Sequence, residues 1–176
     1  MQFVTIRLGD ALPKEKVRKW IEQSKAWKST NPPPWTPEME KEYHQRFTAK
    51  LERWLDEGAG CCLFRDFEKR KILGDVLMRF QGERVEHHAW VIMPNHLHLL
   101  FKPMESLEKL IQAWKSVSAK RIGQGSIWQR NYRDTLIRDY DHFANAVRYI
   151  RRNPVKAGLS EGEFALWQSE RALRVP

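Results

Sequence analysis

Two histidines, His96 and His98, stand one residue apart just after a turn, in the stretch HLHLLFK. Side chains on a strand alternate between its two faces, so both imidazoles are expected on the same face. Their Cα atoms would lie about 6–7 Å apart at the rise of a strand, which lets both rings reach one divalent cation. A turn histidine followed by a half-exposed strand histidine is the commoner explanation of such a pair, and it stays open at this point.

A second segment, HFANAVRYIRRNPVKAG, presents two further groups with chemical potential. Tyr149 and Asn153 are four residues apart, so a helix would place them on the same side, one turn apart. A phenol can act as a nucleophile, and an amide oxygen is a hard ligand suited to Mg²⁺ or Mn²⁺. The alternative is that Tyr149 is a boundary aromatic residue and Asn153 a helix C-cap before Pro154.

The charge of the chain points to a polyanionic partner. Thirty-one Lys and Arg against 22 Asp and Glu give a net charge of +9, and residues 105–160 alone carry 11 basic and 5 acidic residues, a net of +6. Such a basic half favours nucleic acid, although a solvated basic surface has the same composition.

The cysteines and the hydropathy favour a cytoplasmic protein. Cys61 and Cys62 are neighbours, so they form neither a disulfide framework nor a Cys-x-x-Cys metal motif. The first residues have no signal-peptide pattern, and no apolar run approaches the roughly 18 residues that span a membrane.

Hydrophobic periodicity and turn residues predict the elements that must position these groups. The predicted strands are 3–8, 84–93, 96–102 and 126–138, and the predicted helices are 12–30, 37–60, 65–83, 106–123 and 139–158, the last one stopped by Asn153-Pro154 and followed by an irregular tail. Without residues 9–60 the order is β-α-β-β-α-β-α. This order predicts an α+β, ferredoxin-like antiparallel sheet (split βαβ) with helices on one face. Residues 1–176 would form a single domain with a helical insertion at about 9–60, and the histidine face of the sheet would be open or would line a cleft.

Three motifs, in order WVIMPNHLHLLFKP, IWQRNYRDTLIRD and VRYIRRNPVKAGL, resemble those of the REP-associated tyrosine transposases, within the HUH (His-hydrophobic-His) single-tyrosine transposase superfamily. The resemblance is strong over about residues 84–159 and loose over residues 1–83. It implies a metal-dependent enzyme that cuts and rejoins single-stranded DNA at palindromic hairpins through a covalent 5′-phosphotyrosine intermediate.

The same resemblance implies roles for individual residues. His96 and His98 would bind Mg²⁺ or Mn²⁺, Asn153 would complete the metal site, and Tyr149 would be the nucleophile. The basic residues expected to meet DNA phosphates are Arg130, Arg133, Arg138, Arg148, Arg151, Arg152 and Lys156.

Several alternatives remain open from the sequence. Tyr132, in the motif WQRNYRD, is a rival nucleophile, although it has no ligand-type partner at helical spacing. A non-catalytic protein that binds hairpin DNA or RNA would share the basic charge and the sheet. A metal-dependent nuclease that uses bound water would share the histidines, and a monomer and a homodimer are equally compatible with the sequence.

Overall fold

A five-stranded antiparallel sheet forms the centre of the molecule, which the computed structural model describes over residues 1–176. Its strands are β1 (Gln2–Arg7), β2 (Val85–Ile92), β3 (His96–Pro103), β4 (Arg133–Leu136) and β5 (Ala165–Gln168). They lie in the order β4-β1-β3-β2-β5, and each neighbouring pair is antiparallel. β1 and β2 therefore run parallel to each other on either side of β3, which confirms the predicted split βαβ plan and the α+β class.

Seven helices accompany this sheet. They are α1 (Lys14–Thr30), α2 (Pro37–Tyr43), α3 (Ala49–Asp56), α4 (Phe67–Met78), α5 (Leu107–Ile122), α6 (Tyr140–Lys156) and α7 (Glu170–Leu173). A π-helical turn at His44–Thr48 joins α2 to α3, so the helix predicted over 37–60 is present with one irregular turn. None of the seven has the length and apolar character that crossing a membrane requires.

Alternation along the strands produces two apolar cores, one on each face of the sheet. On β3, the side chains that pack towards α4 and α5 are Leu97, Leu99 and Phe101, as predicted. On the other face Leu100 and residues of β2 pack against Phe143, Val147 and Ile150 of α6. The prediction that helices lie on one face only is therefore wrong. The apolar stripe of α6 must be buried against another element, and it packs on the face of the sheet that carries the histidines.

Three segments differ from the sequence-based prediction. Within 126–138 only Arg133–Leu136 pairs along its length as a strand, apart from a single bridge between Trp128 and Leu8. The supposedly irregular tail contains β5 and α7, held in place by pairing of β5 with β2 and by stacking of Trp167 on Trp90. α6 does not end at Asn153 but continues through the buried Pro154 to Lys156. Tertiary packing overrides the local signal in each case.

The helices α1 to α3 form an aromatic cluster of their own and also touch the sheet. Tyr43 and Phe47 pack on Trp27, with ring centroids 5.3 Å and 6.2 Å away. At and just after the end of α3, the carbonyl oxygens of Leu55 and Ala59 accept hydrogen bonds from the side chain of Asn95, directly before β3. This helical segment is thus tied to the end of the strand that carries the histidines.

Phe101 should be a principal stabilising residue of the α4/α5 core. It is fully buried, and its ring lies edge-on to that of Trp114 at 5.2 Å. We expect Phe101→Ala to lower the free energy of unfolding by about 3–5 kcal/mol, because it removes buried contacts and leaves a cavity. The exposed neighbour Lys102→Ala should change it by less than about 0.5 kcal/mol. Urea unfolding of both variants measures this, and equal effects would contradict the assignment of Phe101 to the core.

Candidate active site

The two histidines of β3 point at each other from the same face of the strand. Nε2 of His96 lies 3.1 Å from Nε2 of His98, and each residue is only 1% exposed. Two imidazole nitrogens this close can bind one ion at about 2.0–2.1 Å from each. The expectation that the pair shares a face is confirmed. Of the two surroundings predicted for that face, an open surface is excluded because α6 covers it, whereas a cavity does lie along it, since His96 lines one of about 120 Å³.

The outer nitrogen of each ring has a fixed partner. Nδ1 of His96 lies 2.7 Å from Oδ1 of Asn95, whose amide nitrogen is already engaged with backbone carbonyls. Oδ1 can only accept, so Nδ1 of His96 carries the proton and its Nε2 keeps a free lone pair. Nδ1 of His98 lies 2.9 Å from Oγ1 of Thr5. The hydroxyl of Thr5 can donate or accept, so His98 can present either a proton or a lone pair at Nε2.

Burial holds both rings in the neutral state that metal binding requires. Removal from water lowers the pKa of His96 to about 3, and the positive charge of Lys156 acts in the same direction. The pKa of His98 also lies well below its usual value, first because of burial, then because protons on both rings of the pair would repel each other, and finally because of the charges of Arg133 and Lys156. At neutral pH the site therefore offers two uncharged nitrogen donors at one point.

Tyr149 of α6 lies next to this pair. Its ring is edge-on to that of His98 with the centroids 5.2 Å apart, and Phe3 of β1 contacts both rings at 5.6 Å. Tyr149 also lines a cavity of about 340 Å³ together with Glu52 and Arg133. The structure thus brings the predicted nucleophile together with the predicted metal ligands and gives it access to a space for a substrate.

Asn153 is buried on α6 and has a free acceptor. Its amide nitrogen donates to the backbone carbonyl of Tyr149 at 3.0 Å, while Oδ1 is buried and has no hydrogen-bond partner. Asn153 is not a C-cap, because the helix continues beyond it. A buried carbonyl oxygen without a partner is costly, and a cation would satisfy it. Two neutral imidazoles and an amide oxygen are suitable ligands for a divalent ion. No group of three or more His, Cys, Asp and Glu side chains is placed to hold such an ion, so a site here would depend on the amide of Asn153.

Two acidic residues of α3, which the sequence did not single out, lie near enough to Tyr149 for their charges to act on it. Glu52 lies 3.3 Å from Arg133, and Asp56 lies 2.9 Å from Lys156. Burial raises the pKa of Tyr149 above its usual value, the charges of Glu52 and Asp56 raise it further, and Asn153 and Arg133 act against them. The sequence offered no signal for this proximity, because it depends on how α3 docks against the sheet.

The predicted DNA-contacting residues fall into two groups. Arg130, Arg138 and Arg152 are exposed and form no ion pair or side-chain hydrogen bond. The others have partners within the protein. Arg133 and Lys156 pair with the acids of α3. The guanidinium of Arg148 donates to Asn145 and to the carbonyl of Pro176, and that of Arg151 donates to Gln168 and to the carbonyls of Ala172 and Val175.

The rings of the histidine pair contact Phe3 and Tyr149, and the rival nucleophile Tyr132 is not among their ring contacts. It packs against the core on the α4/α5 face, and Nζ of Lys115 lies 5.8 Å from its ring centroid. Trp128 packs on the same core, with its indole nitrogen donating to Ser118 at 2.9 Å. Tyr149, not Tyr132, is therefore the tyrosine beside the candidate ligands.

Comparison with known proteins gives one sequence relative. A REP-associated tyrosine transposase of Escherichia coli (strain K12) is 30% identical over 92 residues, which cover 50% of this chain and 56% of that protein. The chain thus spans about half the length of the curated relative that it matches, and this similarity confirms the resemblance that the three motifs indicate. No protein-family model matches the chain.

A solved structure of a REP-associated tyrosine transposase bound to a REP hairpin can also be superposed on the chain. The superposition has a TM-score of 0.49 at 17% sequence identity and covers 91% of this chain and 69% of that one.

A third histidine, His87, should make the fold sensitive to acid. It is buried between Phe101 and Trp114, and its Nε2 donates to the carbonyl of Leu77 at 3.0 Å. Burial lowers the pKa of His87 to about 4. In the unfolded chain the pKa is about 6.5, so protons bind the unfolded state first. The stability that neutral His87 contributes is complete above pH 6.5 and is lost as the pH falls from 6.5 towards 4.

We expect His87→Gln to reduce this loss. Between pH 7 and pH 5 the free energy of unfolding of the variant should fall by about 2 kcal/mol less than that of the wild type. His44→Gln, at an exposed position, is the matched control and should follow the wild type. Urea unfolding at the two pH values gives the comparison, and the same loss in all three proteins would rule out His87 as the titrating group.

Proposed function

We propose that this chain is a REP-associated tyrosine transposase that cuts and rejoins single-stranded DNA at palindromic, REP-like hairpins. The observation that carries the proposal is the placement of Tyr149 beside the buried pair His96 and His98 and next to a cavity, with Asn153 one turn further along α6. The sequence relative from Escherichia coli supports the same activity, since its name describes this kind of enzyme.

In the proposed reaction Tyr149 is the nucleophile. Its phenol oxygen attacks a backbone phosphorus, and the bond from phosphorus to the 3′ oxygen breaks. The products are a 5′-phosphotyrosine and a free 3′-hydroxyl, which takes up a proton while the phenol gives one to solvent. Attack by a 3′-hydroxyl on the phosphotyrosine reverses these steps, so rejoining needs no external energy source.

A divalent cation, Mg²⁺ or Mn²⁺, is the proposed cofactor. Nε2 of His96, Nε2 of His98 and Oδ1 of Asn153 would hold it. The bound ion would draw charge from a non-bridging phosphate oxygen and favour the phenolate. The need for such help is clear from Tyr149 itself, because burial and the acids of α3 hold its pKa above the usual value.

The residues of the chain orient the reactants. The rings of Phe3 and His98 both lie edge-on to the ring of Tyr149, and the amide of Asn153 is fixed by its bond to the Tyr149 carbonyl. The exposed Arg130, Arg138 and Arg152 are proposed to bind phosphates of the hairpin. Arg133 and Lys156 would reach a phosphate only by leaving or sharing their acidic partners on α3.

The proposed nucleophile can be tested with a hairpin oligonucleotide labelled on its 3′ side, incubated with Mn²⁺. A protein–DNA adduct on a denaturing gel should form with the wild type and fall by more than about 10³-fold in Tyr149→Phe, because the variant has no oxygen to attack phosphorus. Tyr132→Phe is the matched control and should keep at least a third of the adduct.

Other outcomes separate the competing functions. If the adduct were lost only in Tyr132→Phe, the reaction would still be that of a tyrosine transposase, but Tyr132 and not Tyr149 would be the nucleophile. Cleavage without adduct, unchanged in Tyr149→Phe, would indicate a nuclease that uses bound water. Tight hairpin binding with neither cleavage nor adduct would indicate a non-catalytic DNA-binding protein.

A further inference from the structure

Arg7, the last residue of β1, lies on the same face of the sheet as the histidine pair. It is paired with His96 across the β1–β3 ladder. Its neighbours Ile6 and Leu8 belong to the core on the α4/α5 face, so the side chain of Arg7 points the opposite way. The hydroxyl of Thr5, two residues earlier on β1, lies 2.9 Å from Nδ1 of His98, so Thr5 is on this face as well.

The guanidinium of Arg7 has no counter-charge within the protein. Its Nη1 is buried and has no hydrogen-bond partner. The two neighbouring cations of the site differ in this respect, since Arg133 has Glu52 and Lys156 has Asp56. Burial also lowers the pKa of Arg7 from its usual value. A partly buried guanidinium with an unpaired, buried nitrogen and no nearby anion is costly, and an anionic ligand would offset that cost.

Arg7 lines a cleft of about 500 Å³ that runs between the helical segment and the edge of the sheet. Thr5 lies in it, which connects the cleft to His98. Two partly exposed aromatic rings, Trp20 of α1 and Tyr132 before β4, also line it, and the indole of Trp20 is fixed by a hydrogen bond of 2.9 Å to the carbonyl of Phe47. Two acidic residues also line the cleft. Glu52 is paired with Arg133, and Asp134 is exposed.

We propose that this cleft binds the single-stranded DNA that flanks the cleavage site, with Arg7 holding one of its backbone phosphates. The inference rests on the proposed function and adds a binding residue to it. A single strand presents phosphates for a guanidinium and unstacked bases for aromatic rings, which matches the lining of the cleft. Arg7 binds the flank and does not take part in the bond exchange at Tyr149.

Neutral phosphate analogues test this assignment. A hairpin oligonucleotide with a single-stranded flank is bound to the full chain, and each flank phosphate is replaced in turn by an uncharged methylphosphonate. In the wild type one flank position should weaken binding roughly tenfold, measured by fluorescence anisotropy. In Arg7→Gln the same replacement should change binding less than about twofold, because the partner of that phosphate is gone. The slope of log K for binding against log salt concentration should also be less steep by about 0.7 in Arg7→Gln, because one phosphate contact is lost.

Arg18→Gln is the matched control, since Arg18 is exposed on α1 and pairs only with Glu15. It should keep the full tenfold effect. An equally large methylphosphonate effect in Arg7→Gln would overturn the proposal. If circular dichroism shows that Arg7→Gln does not fold, Arg7→Met replaces it. Methionine has a long, flexible side chain without charge, so the methylphosphonate effect should again fall below about twofold, and an unchanged effect would overturn the proposal.

The wild type separates this inference from the proposed function. If the wild type binds no hairpin DNA, the proposed function and the role of Arg7 are both contradicted. If it binds and cleaves hairpin DNA while Arg7→Gln keeps the methylphosphonate effect, only the role of Arg7 is contradicted.

Discussion

The burial of two neutral imidazoles that face each other is the constraint on which the rest of this structure depends. Water cannot solvate His96 and His98, so each outer nitrogen needs a partner from the protein. Asn95 and Thr5 supply these partners and leave the two inner nitrogens 3.1 Å apart. α6 completes the enclosure and carries Tyr149 against the ring of His98, with Asn153 and its unpaired oxygen one turn further along the helix. A cation between the two inner nitrogens would take the place of their contact and bind both of them.

The helical segment between β1 and α4 supports this arrangement rather than standing apart from it. The carbonyl oxygens of Leu55 and Ala59 fix Asn95, and Asn95 in turn fixes the ring of His96. On the same segment, Glu52 and Asp56 bind two basic residues of the site. The segment also forms one wall of the cleft beside Arg7. Its docking therefore affects the candidate metal ligands, the charges around Tyr149 and the cleft proposed to bind a substrate.

The sequence was informative where the pattern is local. Alternation along β3 correctly placed His96 and His98 on one face, and the four-residue spacing on α6 correctly paired Tyr149 with Asn153. The covered histidine face was missed, because the apolar stripe of α6 does not reveal which surface it will meet. β5 was missed because four residues carry too little periodicity. Asn153 was open to interpretation as a cap because a following proline usually ends a helix, whereas burial keeps this helix intact. The acids of α3 and the unpaired Arg7 depend on contacts between distant parts of the chain.

The nitrogen coordination of bound Mn²⁺ tests the proposed metal site most directly. Electron spin-echo envelope modulation of Mn²⁺ added to the wild type should show couplings from two imidazole nitrogens. His96→Ala should lose one of them or the bound ion, and Asn153→Ala should weaken binding while both remain. His142→Ala, which removes a histidine lining the cavity of Tyr149, should leave the spectrum unchanged. Mn²⁺ bound without imidazole couplings, or a spectrum indifferent to His96→Ala, would contradict the assignment of the buried pair as the metal ligands.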